Sequence, residues 1–234
     1  YLYRNEQFHQ IMLAREGLPE ALMAAREVVR VPLGDDWMEA VITRPQGRQG
    51  PLPTIVMPHG GPHGIRDDWH FDSEAQFLAN RGYLVIQPNF RGSGGRGEVY
   101  EQSGYRQWGT GMIADIHASV DWAVSAGLAD AQRVCSYGGS YGGYAAMMLP
   151  IRYPGRYRCA AGLAGVYDLT LMHSKGDIQR RQSGRNYLAD ALGNDMAALR
   201  ADSPATHAPA LQVPVLLAHG SRDERVPIAH SHAL

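Results

Sequence analysis

Lysine is almost missing from this chain: among 22 basic residues only Lys175 is one, and the rest are arginine. An excess of either charge is missing too. The 23 acidic residues leave a formal net charge of −1, which points to neither nucleic acid nor an anionic membrane as partner. The arginine preference is therefore read as compositional bias. Cysteine is limited to Cys135 and Cys159, too few for a disulfide scaffold. Both fall in predicted strands, where buried free thiols are expected rather than a bridge. No apolar run approaches the length of a membrane span. Tyr1-Leu2-Tyr3-Arg4 carries neither an initiator methionine nor a signal-peptide pattern. What is present is a globular composition, 44% hydrophobic and 19% charged over 234 residues, enough for one large α/β domain or two small ones. The sequence does not set the compartment.

Apolar periodicity gives alternating elements. Residues 27–31 and 38–43 read as strands of a hairpin around Gly34-Asp35-Asp36, and 54–58 as a short strand. Residues 71–80 are helical, with Gly82 able to cap the end, and 83–87 form a buried strand closed by Pro88. Residues 115–126 are an amphipathic helix; 133–137, 158–164 and 213–219 are strands; a helix begins at Pro227. Residues 167–210 are polar and broken, an excursion over the active face. Strands alternating with helices imply a mostly parallel sheet covered on both sides.

One stretch carries the chemistry. Gly138-Gly139-Ser140-Tyr141-Gly142 reads G-x-S-x-G between a strand and a helix, the setting of a nucleophile elbow. Its glycines answer a strained turn and close backbones. A serine hydroxyl needs a base, and the base an orienting acid. Asp223, in His219-Gly220-Ser221-Arg222-Asp223-Glu224-Arg225-Val226-Pro227 after the last strand, is the expected acid, with Glu224 its competitor. An oxyanion hole needs two backbone N–H groups. Tyr141, following the nucleophile, supplies one. Gly61, in the turn His59-Gly60-Gly61-Pro62 after an early strand, supplies the other. His59, His63 and His70 read as polar loop residues, since no cysteine or carboxylate completes a metal-ligand spacing.

Gly92-Ser93-Gly94-Gly95-Arg96-Gly97 matches G-x-G-x-x-G. A dinucleotide site needs a helix opening at those glycines. Here Pro88-Asn89-Phe90-Arg91 intervenes and residues 98–111 make a poor helix, so a flexible loop near the active site is expected.

His59-Gly60-Gly61-Pro62, Gln87-Pro88-Asn89-Phe90-Arg91-Gly92-Ser93, Gly138-Gly139-Ser140-Tyr141-Gly142-Gly143-Tyr144 and the Asp223 stretch together resemble the catalytic domain of the prolyl oligopeptidase family of serine peptidases, nearest its acylaminoacyl-peptidase branch. The resemblance spans residues 55–228. It implies an α/β-hydrolase fold behind an N-terminal β-propeller, with residues 1–25 the remnant of propeller and linker and 26–234 the catalytic domain. It implies a short peptide as substrate and no cofactor or metal, and leaves a homo-oligomer open. It implies further that Arg225 meets a substrate carbonyl and that Val166, Leu169 and Val226 line an apolar pocket for the residue before the scissile bond.

The family's histidine lies beyond the acid, after a helix and one more strand, an interval of roughly 25–30 residues. His230 and His232 come too early for it. Both ends of the chain read as cut, so the expectation is a fragment truncated before the last strand and the catalytic histidine, inactive as written. Two other readings stand beside a peptidase: a carboxylesterase of the same fold, and a catalytically silent hydrolase-fold binding protein.

Overall fold

The computed structural model describes residues 2–9 and 17–234. Tyr1 and residues 10–16, part of the stretch read as propeller remnant and linker, lie outside the described residues. At the N-terminus β1 (Leu2–Arg4) and β2 (Gln7–His9) form a two-stranded antiparallel sheet of their own. Among the described residues the other sheet has seven strands. Its first two, β3 (Ala25–Leu33) and β4 (Asp36–Arg44), are the predicted hairpin, longer at both ends. Leu33 pairs with Asp36, and Gly34 between them sits at φ +64°, a conformation a side chain disfavours.

The sheet continues with β5 (Leu52–Val56), β6 (Leu84–Pro88), β7 (Ala129–Gly139), β8 (Cys159–Leu163) and β9 (Val215–Ala218). Their order in space is β3-β4-β6-β5-β7-β8-β9. β4 runs antiparallel to β6, and every pairing from β6 to β9 is parallel. The chain leaves β5 for β6 on one side, then returns to lay β7 on the other. That reversal opens a crevice at the carboxyl ends of β5 and β7, where open α/β sheets bind ligands. β9 is an edge strand, and its Leu216 is 69% exposed.

Helices cover both faces. α1 (Ser73–Asn80) packs Ala75 against Val85 of β6, while Leu84 and Ile86 of the same strand face the larger core. That alternation is the period of a strand buried on both sides. Asp72 starts α1 by accepting from the amides of Glu74 and Ala75, each at 2.9 Å, a cap of about 1 kcal/mol. Gly82 ends it at φ +92°, its amide on Ala79 O at 2.9 Å. On the other face α3 (Gly111–Ser125) buries Met112, Ile113, Ile116 and Val120 against the sheet. It begins a full turn ahead of residue 115, because Met112 and Ile113 extend the same buried face. α4 (Tyr141–Arg152) is buried from Tyr141 to Pro150.

Three expectations are corrected. Residues 98–111 are not all loop: α2 (Glu98–Gln102) forms there. The 167–210 excursion is ordered as 3-10 turns at Leu169–His173, Ile178–Arg180 and Pro204–Ala210 and as α5 (Gln182–Ala191) and α6 (Met196–Ala201). The cysteines are not free: parallel register sets Cys135 opposite Cys159, Cα atoms 4.8 Å apart, and a disulfide joins them. A short last helix, α7 (Ala229–Ala233), follows the Asp223 loop. No helix among the described residues is long and apolar enough to cross a membrane.

Candidate active site

Ser140 joins β7 to α4 with φ 56° and ψ −120°, a conformation rare for a residue with a side chain. Such backbone strain costs of order 1–3 kcal/mol and persists only where the surroundings enforce it. They do so through glycines. A Cβ on Gly138 would lie 2.6 Å from Gly142 C, and one on Gly143 would lie 2.9 Å from Gly165 Cα. The Ser140 amide donates to Leu163 O at 2.9 Å, at the end of β8, and Ser140 O accepts from Tyr144 N at 3.1 Å to start α4. Sequence, turn and packing thus agree in holding the hydroxyl at the sheet's carboxyl edge.

The turn after β5 lies over this serine. A Cβ on Gly60 would be 3.4 Å from Ser140 Cβ. Gly61 follows at φ +117° and shares a cavity wall with Ser140. Among the described residues no backbone carbonyl accepts from the amides of Gly61 or Tyr141, so both donors are unengaged.

The turn is fastened to the glycine-rich run after β6. Gly64 N donates to Gly92 O at 3.0 Å, Gly94 N to Ile65 O at 2.8 Å, and Ser93 Oγ lies 2.8 Å from His59 Nε2. A Cβ on Gly94 would stand 2.5 Å from Gly64 O. The G-x-G-x-x-G glycines are thus explained by close approach to the Gly61 turn, and the run is hydrogen-bonded in place rather than flexible.

Ser140, Gly61, Val166, Val226 and Arg225 line one cavity of about 820 Å³, together with Trp108, His63, Tyr187, Met172 and Asp177. Val166 and Val226 are buried, and Arg225 pairs through Nε with Asp177 Oδ1 at 2.9 Å. Leu169 is not on this wall. It is 1% exposed, packed in the core and against a neighbouring cavity of about 330 Å³, while Met172 of the same 3-10 turn lines the Ser140 cavity. Asp223 accepts from the amides of Arg225 and Val226 with Oδ1, both at 2.9 Å. Those bonds fix its carboxylate and leave Oδ2, 3.9 Å from His219 Nε2, without a hydrogen bond. Glu224 instead lines the cavity, its Oε2 3.9 Å from Arg180.

Among the described residues no imidazole is hydrogen-bonded to Ser140. His59 is held by Gly60 O at 2.7 Å and Ser93, and burial pushes it down to about 4. His63 lines the cavity, but its Nε2 accepts from the Trp108 indole at 3.2 Å. Its Nδ1 faces the Glu101 carbonyl without closing a bond of good geometry, and burial lowers this ring too to about 4. His219 donates from Nε2 to Val226 O and takes Ser231 Oγ at Nδ1, both at 2.6 Å. His230, on α7, is buried and accepts from Asp168 N at 3.4 Å. His63, Trp108 and Tyr187 escape sequence reasoning as wall residues. Only the aromatic spacing of Tyr105 and Trp108 in an otherwise polar stretch hinted at burial.

The sheet, its switch point and the strained serine define the class: this is an α/β hydrolase fold. The chain belongs to the prolyl oligopeptidase family, whose model matches residues 69–234. It is 34% identical over 214 residues to dipeptidyl peptidase family member 6 of Caenorhabditis elegans, covering 86% of this chain and 27% of that protein. It is 33% identical over 186 residues to acylamino-acid-releasing enzyme 1 of Oryza sativa subsp. japonica, covering 76% of this chain and 24% of the relative. A solved puromycin-hydrolyzing peptidase of Mycobacterium tuberculosis superposes with TM-score 0.84 at 28% identity, over 94% of this chain and 34% of that one. The chain spans about a quarter of the length of the curated relatives it matches.

Proposed function

We propose that this chain is the nucleophile-bearing part of a serine peptidase that cleaves short peptides through an acyl-enzyme. Ser140 Oγ attacks the peptide carbonyl carbon and its proton passes to an imidazole. The tetrahedral oxyanion is held by the Gly61 and Tyr141 amides. The C–N bond breaks, the amine leaves with that proton, and water hydrolyses the ester. Asp223, its Oδ1 held by two amides, offers Oδ2 to orient the base. The base is assigned to a histidine outside the described residues, since those within reach of the cavity are engaged elsewhere. Val166 and Val226 wall the pocket for an apolar residue before the cut, and Arg225 at the rim meets a substrate carbonyl. No cofactor takes part.

The observation that carries this reading is the left-handed backbone of Ser140 at a cavity it shares with Gly61. The relatives named for dipeptidyl and acylamino-acid release support an exopeptidase acting at a peptide end. Residues 1–25 are assigned to the end of a preceding propeller and its linker; the separate β1-β2 sheet supports that division. For residues 1–234 by themselves, the lack of an imidazole on Ser140 favours a second reading, binding without turnover. Chromogenic peptides with varied residues before the cut test the proposal on the intact natural protein. Apolar residues are expected to be cleaved fastest and Ser140→Ala to abolish cleavage. Faster cleavage after Lys or Arg argues against the pocket assignment.

A further inference from the structure

The segment between the glycine-rich run and α3 has no part in the chemistry above, yet Trp108 within it touches both halves of the oxyanion site. Its indole N–H donates to His63 Nε2 at 3.2 Å, two residues beyond Gly61. Its ring meets the Tyr141 ring edge-on, centroids 4.8 Å apart at 83°, and its carbonyl accepts from Tyr141 Oη at 3.3 Å. Tyr144, one turn along α4, stands 5.7 Å from the same indole. The side chain is 4% exposed and forms part of the cavity wall with Ser140 and Gly61.

We propose that Trp108 is a positioning residue: its N–H, bonded to His63, ties the turn that carries Gly61 to the elbow that carries Tyr141, and so fixes the spacing of the two oxyanion donors. This rests on the reading of Ser140 as nucleophile. The two donors come from different strands, β5 and β7; close backbone contact joins the roots of the two turns at Pro58 and Gly142, and the Trp108–His63 bond holds the far end of the first turn, beyond Gly61. Glycine-rich backbone joins the Gly61 turn to residues 92–94. Trp108 reaches the same turn from the segment before α3, through a side-chain N–H. His63 is confined for the purpose, with the Tyr105 ring 4.8 Å and the Tyr187 ring 5.9 Å from its own. A residue needed only for packing would require the ring and not the N–H; phenylalanine keeps most of the first and lacks the second.

The test uses the intact natural protein and reads kcat, KM and the affinity of a peptide trifluoromethyl ketone, which forms an oxyanion adduct on an active serine. Trp108→Phe and His63→Leu are each expected to lower kcat by about ten- to a hundredfold, the scale of a misplacement on the order of 1 Å, with KM nearly unchanged. Ketone affinity should fall by the same factor. The double variant should be no worse than the worse single, since both remove one bond. His63→Gln, which keeps an acceptor, should recover part of the loss. Wild-type kcat in Trp108→Phe, or losses that multiply in the double variant, would overturn the proposal. If Trp108→Phe does not fold, the His63→Leu and His63→Gln pair decides alone: equal activity in the two overturns it. Ser140→Ala in the same series separates the two levels. Activity surviving there sinks the hydrolase reading itself, whereas a dead Ser140→Ala beside an unaffected Trp108→Phe sinks only the tie.

Discussion

Gly142 and Pro58 meet backbone to backbone: a Cβ on Gly142 would fall on the Pro58 carbonyl oxygen. The second residue of α4 is thereby pressed onto the residue that opens the Gly61 turn. This contact holds the nucleophile's helix against the start of the oxyanion turn, from which it is widely separated in sequence.

Gly142→Ala should therefore destabilise the protein by about 1–3 kcal/mol, the cost of overpacking a tight site. Gly139→Ala is the control. Its added Cβ meets nothing closer than Leu163 O at 3.6 Å, and its φ is not positive. Urea midpoints of the two variants check this; equal losses would contradict the contact.

Asp115 is 3% exposed in its side chain and holds Arg91 by two side-chain bonds of 2.7 Å and one from the Arg91 amide at 3.0 Å. The carboxylate raises the Arg91 guanidinium pKa further, first by hydrogen bonding. Asp115→Ala leaves the Arg91 amide and a part-exposed guanidinium without their partner, which costs about 1–3 kcal/mol. Equilibrium denaturation should show that loss. A change below about 1 kcal/mol would mean that solvent replaces the carboxylate readily.

The elbow and the Asp223 loop were legible because each is a local motif whose glycine, proline and acidic positions have one structural explanation. β5 and β6 were legible from their apolar runs. That Leu169 packs in the core while Met172 of the same 3-10 turn lines the cavity was not legible, because an apolar residue beside a cleft and one in the core look alike in sequence. The Cys135–Cys159 bridge depends on the β7/β8 register, which no local pattern carries. Trp108 was missed for the same reason: its partners, His63 and Tyr141, are brought to it by strand order.

Acid should weaken the fold between pH 6.5 and 4. His59, His63 and His230 are each held down to about 4, first by burial, against an ordinary value of 6.5. In that window the unfolded chain binds these protons and the folded chain does not, so stability falls as pH falls. Asp67 opposes the trend. Burial, then the Asp72 charge, pushes it up to about 7 from 3.8, so its contribution is present at low pH and lost as pH rises through 7. Three groups outweigh one. The urea midpoint should decline from pH 7 to 4.5, and a midpoint that stays level or rises toward acid would refute the assignment.

Residues 1–234 alone should hydrolyse a p-nitrophenyl ester at near-background rates. Loss of the histidine in a related triad costs about 2 × 10⁶ in turnover, while an oxyanion hole retains roughly 10³–10⁴ over water. The intact natural protein should exceed the 234-residue chain by several decades. Equal rates would mean that one of the histidines described above turns toward Ser140.

Ser140 is the proposed reacting group, and covalent labelling reaches it most directly. The intact protein, treated with a fluorophosphonate and digested, should yield one modified peptide, with the adduct on Ser140 by mass spectrometry and no labelling in Ser140→Ala. An adduct on another residue, or labelling that survives the substitution, would contradict it.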